Sequence, residues 1–419
     1  MKEPKTFFCM ILFLFATNYH AMSFFKNNNT NADDLQLIRD RQKQLASSWK
    51  AAPTPHLFAV DADLAAANAH NCENMVGAIS LPLGLAGPVE FEQYGQRENS
   101  FVPLATSEGA LVASVSRGLK AINQAGGAQL FVKNAGMTRA PSFAFADGKQ
   151  AFAFAEFLDL AETRTKIRQV TEDGSSHLKF LALQSFVRGR QVFVRLSFDT
   201  DLAMGMNMVT IALQKLWEDF LNTYPGIQML SLSSNVCTDK KASHINQILG
   251  RGYSAQAEVL LSEEILEEVL KTSSKKLLAT HHSKNQLGST LAGSSDHNMQ
   301  FANVTAAFYL ATGQDSAHIV EASQGNTIVE EALMADGSTG LYFAVHLSDL
   351  PLGSVGGGTA LPAQKEVRSL ILQNDDDPNP SKLAAILATG VLAAEISGLA
   401  ALSSHSLAAA HQKLARKRK

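Results

Sequence analysis

The stretch from Pro141 to Asn235 constrains the fold of this 419-residue chain most, because it can be parsed without the rest. Ser142 to Ala146 alternates like a strand, Asp147-Gly148 reads as a turn, and Lys149 to about Val170 has helical periodicity with its charges on one side. His177 to Val187 and Gln191 to Phe198 are β-rich runs separated by Arg188-Gly189-Arg190, a hairpin signal. A helix over Ala203 to Asn222 then stops at Tyr224-Pro225-Gly226, and Ile227 to Ser234 reads as a last strand. The order β-α-β-β-α-β is that of the ferredoxin-like split unit. The expectation is an α+β protein: a small domain, residues 141–231, inserted between the two parts of a large helix-rich one, residues 35–140 and 232–419.

Outside the insert the signals are coarser. Leu35 to Lys50 has helical spacing, and Cys72 to Pro88 is broken by glycine and proline into short strands and turns. Leu104 to Ile122 reads as a helix whose first turn carries Thr106, Ser107 and Glu108. Glu263 to Lys276, Asn298 to Thr312 and Ser381 to the end read as helices, the last two apolar enough to be buried. Leu352 to Thr359 is a glycine-rich loop, and Asp375-Asp376-Asp377-Pro378 a surface turn. Residues 1–34 are expected to be a leader or disordered extension. Phe7 to Thr17, apolar behind Lys2 and Lys5, outlines a signal peptide too short to span a bilayer; a true start at Met22 is the other explanation.

Charge narrows the partners. With 36 Lys+Arg against 39 Asp+Glu the chain lacks the basic surface that phosphate backbones demand, so no nucleic-acid partner is expected. Cys9, Cys72 and Cys237 are too few and too scattered for a disulfide framework, which points to a reducing compartment. Neither a Rossmann fingerprint nor a P-loop is present, so a dinucleotide would have to bind some other way. No H-E-x-x-H occurs and His405 and His411 are not spaced for one helix face; no metal site is expected.

Three segments hold charge in settings that folding does not require. Thr106-Ser107-Glu108-Gly109 could be an ordinary helix start, and Asn235 to Lys241 a solvated loop. Asp315, in Gly313-Gln314-Asp315, closes an apolar helix where a carboxylate is unfavourable unless something pairs with it. His411 could equally be a surface residue on the last helix.

Together with Glu73-Asn74-Met75-Val76-Gly77, Ala203-Met204-Gly205-Met206-Asn207-Met208, Cys237-Thr238-Asp239-Lys240-Lys241 and Val355-Gly356-Gly357-Gly358-Thr359, these segments resemble the ordered signature blocks of 3-hydroxy-3-methylglutaryl-coenzyme A (HMG-CoA) reductase over about residues 70 to 415. The Met-Gly-Met-Asn-Met block looks like the class that includes the eukaryotic enzymes, without the multi-span membrane anchor of the animal members. The resemblance implies NADPH-dependent reduction of HMG-CoA to mevalonate and free CoA, the route to isoprenoids. It implies a large domain for the acyl-CoA, a small NADP(H)-binding insert, and an obligate homodimer, or dimer of dimers, with shared active sites in the cytoplasm. Glu73 to Gly77 corresponds to the family's dimerisation block.

The resemblance also assigns residues. Lys240 matches the family's oxyanion-stabilising lysine, Glu108 the proton-donating glutamate, Asp315 the aspartate that tunes both, and His411 the histidine that protonates the departing thiolate. Arg139, Ser233, Asp239, Lys241 and Asn303 fall where the family contacts the HMG carboxylate and hydroxyl, and Arg117 on a CoA-phosphate contact. Arg164 falls at the 2′-phosphate of NADPH; Met204, Met206, Asn207, Gly356 and Gly357 fall in the cofactor blocks. The chain departs from the pattern at Asp201-Leu202 in place of Gly-Asp, at Gln300 in place of a histidine, at His405-Ser406, and at Lys417 in place of a phosphorylatable serine. A non-catalytic CoA- or nucleotide-binding homologue and a reductase of another acyl-CoA are the alternatives.

Overall fold

A computed structural model describes residues 33–49, 54–223, 226–373 and 378–404. The leader, most of Asp375-Asp376-Asp377-Pro378, and His411 with the rest of the C-terminal stretch lie outside these residues. The chain divides into two compact units, residues 1–80 and 81–419.

In the first unit α1 (Asp34–Trp49) forms where helical spacing was expected. Arg41 Nη1 donates to Asn68 Oδ1 at 2.6 Å and to the Met75 carbonyl at 3.0 Å, and Gln42 Nε2 donates to the carbonyls of Phe58 and Val76. The Glu73–Gly77 block is thus tied to α1 through backbone carbonyls. Gly77 must be glycine: a Cβ there would lie 2.1 Å from the Leu57 carbonyl oxygen.

The second unit opens with the hairpin β1 (Leu83–Gln93) and β2 (Gln96–Ala105), followed by α2 (Leu111–Gln124) and β3 (Ala128–Arg139). Next come β4 (Ser142–Ala144), α3 (Gly148–Asp159), α4 (Ala161–Glu172), β5 (Lys179–Arg188), β6 (Gln191–Asp199), α5 (Met206–Thr223) and β7 (Gln228–Ser231). The remainder is α6 (His244–Leu249), β8 (Arg251–Ser262), α7 (Glu263–Glu268), α8 (Ser274–His281), α9 (Phe301–Thr312), β9 (Gly325–Leu333), β10 (Thr339–Leu350), α10 (Pro362–Leu372) and α11 (Pro380–Ser403). One sheet runs β7-β4-β6-β3-β8-β10-β9, with β5 paired to β6, β1 to β3, and β2 to β1. Within the insert the order is β7-β4-β6-β5, every pair antiparallel, which is how split β-α-β units interleave.

The insert has its own apolar cluster, in which Phe143 packs edge-on against Phe154 and Trp217, and Trp217 against Phe220. The larger cluster surrounds α11, which is long and apolar enough to cross a membrane but is buried inside the protein. Its neighbour α2 approaches so closely that a Cβ on Gly118 would sit 1.9 Å from the Ala393 carbonyl oxygen.

Four expectations are corrected. Leu104 to Ile122 is not one helix. Pairing with β1 carries β2 to Ala105, and α2 starts only at Leu111, after Ala110 in a left-handed conformation (φ 78°). The single helix expected over 149–170 is two. Ala151, Phe154, Ala155 and Leu158 face inward on α3, and Thr163, Ile167 and Thr171 on α4; the one-residue phase slip is absorbed by extended Leu160. The helix over 263–276 breaks after α7, where Lys271 takes φ 58°. The helix-rich final part also contains three long strands that went unread. β8 buries every second residue, whereas β10 is buried on both faces and shows no alternation.

Candidate active site

Strained backbone marks the site. Asn235, Thr238 and Lys240 all take positive φ (63°, 60° and 57°), in a loop whose side chains lock it from behind. Thr138 Oγ1 donates to the Cys237 carbonyl at 2.7 Å, Thr238 Oγ1 hydrogen bonds to Asn246 Oδ1, and the Lys240 N–H donates to Glu321 Oε1 at 3.1 Å. The loop projects Lys240 outward to Asp315, Nζ to Oδ2 2.9 Å.

Asp315 owes its place to the end of α9, where Gly313 takes φ 74° and has no room for a Cβ beside the Gly358 carbonyl. Burial by itself pushes the pKa of the Asp315 carboxyl up. The Lys240 hydrogen bond, the Ala317 N–H at 3.0 Å, and the charges of His318 and Lys240 outweigh it, and the carboxyl is held below its ordinary pKa. The partner that a carboxylate needs at this helix end is therefore Lys240.

Beside this pair, Arg139 Nη1 donates to Ser233 Oγ at 3.2 Å and lies 3.5 Å from Asp239 Oδ2, while Nε and Nη2 reach Thr210 Oγ1. Arg139, Ser233 and Asp239 thus form one polar cluster, with Lys241 exposed alongside. Asn303 is held separately, its Nδ2 donating to Gln300 Oε1 at 2.8 Å. Glu108 is exposed in the β2–α2 connection. Arg117 is turned to α11, donating to Ser397 Oγ at 3.0 Å and to its carbonyl at 2.5 Å.

The segments expected to hold the cofactor meet in one place. Ala203 bridges Val355, the Ser354 N–H donates to the Leu202 carbonyl at 2.8 Å, and a Cβ on Gly353 would lie 2.4 Å from the Met204 nitrogen. Gln314 joins this loop to Asp315: its Nε2 donates to the Gly353 carbonyl and its Oε1 accepts the Gly353 N–H, both at 2.9 Å. Arg368 donates to the carbonyls of Ser354 and Thr359 from α10. Gly356 and Gly357 take positive φ with open space where a Cβ would stand, so the backbone there can approach a ligand closely, as a dinucleotide cradle requires. Asn207 is exposed on the first turn of α5. Arg164 donates to Asp159 Oδ1 at 2.7 Å across the α3–α4 break. Asp201 Oδ2 accepts from His177 Nδ1 at 2.7 Å.

Sequence reasoning missed what stands behind the Lys240–Asp315 pair. Arg251, wholly buried on β8, donates through Nη1 to Glu321 Oε1 (2.8 Å), through Nη2 to Asp239 Oδ1 (2.7 Å) and Met206 Sδ (3.1 Å), and through Nε to Thr138 Oγ1 (3.1 Å). His318 places Nδ1 2.6 Å from Glu321 Oε1 and Nε2 3.6 Å from Asp315 Oδ2. Asp349, buried with neither oxygen hydrogen bonded, is pushed up to about 8 by burial and then by the Glu321 charge. One signal was readable: Asp315, His318 and Glu321 follow at intervals of three, which puts them on one side of a helical turn. Asp239, His318 and Glu321 also bring ligand-type atoms within 4.8 Å of one another. The guanidinium of Arg251 already takes the oxygens of Asp239 and Glu321 that a cation would need.

Fold and site together define an α+β protein with a lysine–aspartate pair joined through Gln314 to a glycine-rich loop. The same fold is found in a class II HMG-CoA reductase from Streptococcus pneumoniae solved bound to NADPH in open conformations, TM-score 0.63 at 20% identity over 87% of this chain and 96% of that one. The sequence profile of the hydroxymethylglutaryl-coenzyme A reductase family matches residues 37–416. Relatives named 3-hydroxy-3-methylglutaryl-coenzyme A reductase are 40% identical in Pyrococcus abyssi, over 83% of this chain and 85% of the relative, and 41% identical in Halobacterium salinarum, over 86% and 87%. The chain belongs to the HMG-CoA reductase family.

Proposed function

We propose that the chain reduces HMG-CoA to mevalonate and free CoA with NADPH. The observation that carries this is the Lys240–Asp315 pair beside the Arg139–Ser233–Asp239 cluster, in a member of this family. NADPH would be held along the Ala203–Asn207 and Ser354–Gly357 segments with Arg164 at its 2′-phosphate, and two molecules bound in turn would each supply one hydride to the same carbon, first as the thioester carbonyl and then as the aldehyde it becomes.

The residues divide the remaining work. Lys240 faces the carbonyl oxygen and stabilises the negative charge that develops on it in both steps. Asp315 holds Lys240 in place and charged. Glu108 supplies a proton to the oxygen, and His411 protonates the CoA thiolate after the first step. Arg139, with Ser233, Asp239, Lys241 and Asn303, binds the carboxylate and hydroxyl of the HMG group. Arg117 contacts a CoA phosphate after exchanging its bonds to Ser397.

The insert at 141–231, between the large-domain parts 35–140 and 232–419, serves the cofactor; its separate apolar cluster supports that division. The active form is a cytoplasmic homodimer joined through the Glu73–Gly77 block. Placement in the class that includes the eukaryotic enzymes rests on the Met204–Met208 block alone; the solved class II structures lend it no support.

Purified protein given HMG-CoA and NADPH should oxidise the nicotinamide and release mevalonate and free thiol. Cofactor binding without turnover would favour the non-catalytic alternative, and turnover of a different thioester the other.

A further inference from the structure

The loop that carries Lys240 is bent against its own sequence. Of its left-handed residues Asn235 is of a type that tolerates the conformation, but Thr238, at φ 60°, is β-branched, and a branched Cβ crowds the backbone there. Thr238 is also buried, and two turns hinge on it: its N–H donates to the Asn235 carbonyl at 3.0 Å, and its carbonyl accepts from the Lys241 N–H at 3.2 Å. Relaxation of Thr238 to negative φ would open both turns, and Lys240, inside the second, would lose its direction toward Asp315.

What opposes that relaxation is Asn246, whose Oδ1 accepts from Thr238 Oγ1. Thr238 Oγ1 also lies 2.6 Å from the Cys237 carbonyl, but that oxygen already has Thr138 Oγ1 as a donor at 2.7 Å, whereas the other donor near Asn246 Oδ1, Arg195 Nη2, stands at 3.5 Å. The same guanidinium fixes which way the amide faces, because an NH2 group could not be turned toward it. Asn246 is wholly buried on α6. That helix is held from β6, where Arg195 Nη2 donates to the Gly250 carbonyl at 3.0 Å, and from Asp296, whose Oδ1 accepts from Gln247 Nε2 at 3.0 Å.

We propose that Asn246 is a positioning residue of this site: by capturing Thr238 Oγ1 it keeps a β-branched residue in the left-handed region and thereby aims Lys240. What Lys240 is aimed at rests on the reaction given above; the lock itself does not. A glycine at 238 would merely allow this backbone, whereas a threonine gripped by its hydroxyl has it enforced.

Two substitutions at Thr238 separate the lock from ordinary packing. Thr238→Val keeps the branched Cβ and the volume but has no hydroxyl to capture, while Thr238→Gly loses the hydroxyl and the strain together. Were packing all that mattered, valine would be the milder change. The lock reverses the order. Thr238→Val and Asn246→Ala should each lose about a hundredfold in kcat with HMG-CoA and with mevaldehyde, the aldehyde of the second step, as a misaimed catalytic group does, and Thr238→Gly should stay within about tenfold of wild type. KM for NADPH should move less than about threefold in all three, since the cofactor is assigned to other segments. Valine equal to or milder than glycine, or a loss confined to KM, would overturn the proposal and leave Asn246 a packing residue. A crystal structure of Thr238→Val decides without turnover. Position 238 should have left the left-handed region and Lys240 have parted from Asp315, and an unmoved loop would sink the idea even if the chain proved to act on another thioester.

Discussion

The two sides of the candidate site are built on different physics. The wall behind Lys240 is buried and ionic: Arg251, Asp239, Glu321 and His318 share donors and acceptors at 2.6 to 2.8 Å, and Arg251 and Glu321 are out of reach of solvent. The side proposed for the cofactor makes its polar contacts in exposed pairs, Arg164 with Asp159 and His177 with Asp201. Desolvated pairs cost much to break and hold their geometry, whereas exposed ones are worth little and exchange partners easily. Under the proposed function, a surface that releases one anion to grip another would be served by the second kind, and a lysine kept aimed at one oxygen by the first.

Substitutions can break or sharpen this contrast. The largest effect should come from Arg251→Met, which leaves Asp239 and Glu321 facing each other without their common cation. Breaking a buried pair from one side costs about 3 to 5 kcal/mol, to be read from urea unfolding. A loss under about 1 kcal/mol would mean the wall is not the stiff element described.

Lys240→Ala should spare stability, since its pair is partly exposed, and remove function instead. Losing a preorganised oxyanion partner typically costs about 10²- to 10³-fold in rate, here with HMG-CoA and with mevaldehyde alike. Near-normal reduction of either would reassign the lysine.

On the cofactor side the effects should be smaller and opposite in sign for the two partners. Arg164→Ala should raise KM for NADPH about tenfold and leave NADH nearly unchanged, at about 1.5 to 3 kcal/mol per charged hydrogen bond. Asp159→Asn frees the guanidinium and should lower KM for NADPH. Equal changes with both cofactors would take Arg164 out of phosphate recognition.

The smallest effect tests the wall through pH. Folded Asp349 titrates near 8 against an ordinary value of 3.8, so between these the folded state binds a proton that the unfolded state has lost. Stability must then fall as pH rises through that window. Asn never ionises, so Asp349→Asn should be the more stable form at about pH 8 by roughly 1 kcal/mol or more, seen as about 2 to 4 °C in Tm, with the gap closing toward about pH 4. An unchanged slope would mean that Asp349 does not hold this proton.

How much of this was legible in the sequence differs by region for physical reasons. The insert could be parsed because its strands alternate and its turns are marked by Asp147-Gly148 and Arg188-Gly189-Arg190, signals local to each element. Only the slip at Leu160 escaped, since a change of inward face is defined by what the helix packs on. β10 escaped because a strand buried on both faces has no alternation to read.

The sequence by itself determined the order of elements in the insert, the burial of the apolar helix at Pro380–Ser403, and which residue types stand at Lys240, Asp315 and Arg139. Only the tertiary structure decided that Glu321 serves Lys240, Arg251 and His318 through one oxygen, and that Arg251 is wholly buried. Hydrogen bonds that join residues 70 and 81 positions apart leave no period or motif in the chain, because they exist only once the sheet and the loop have brought those residues together.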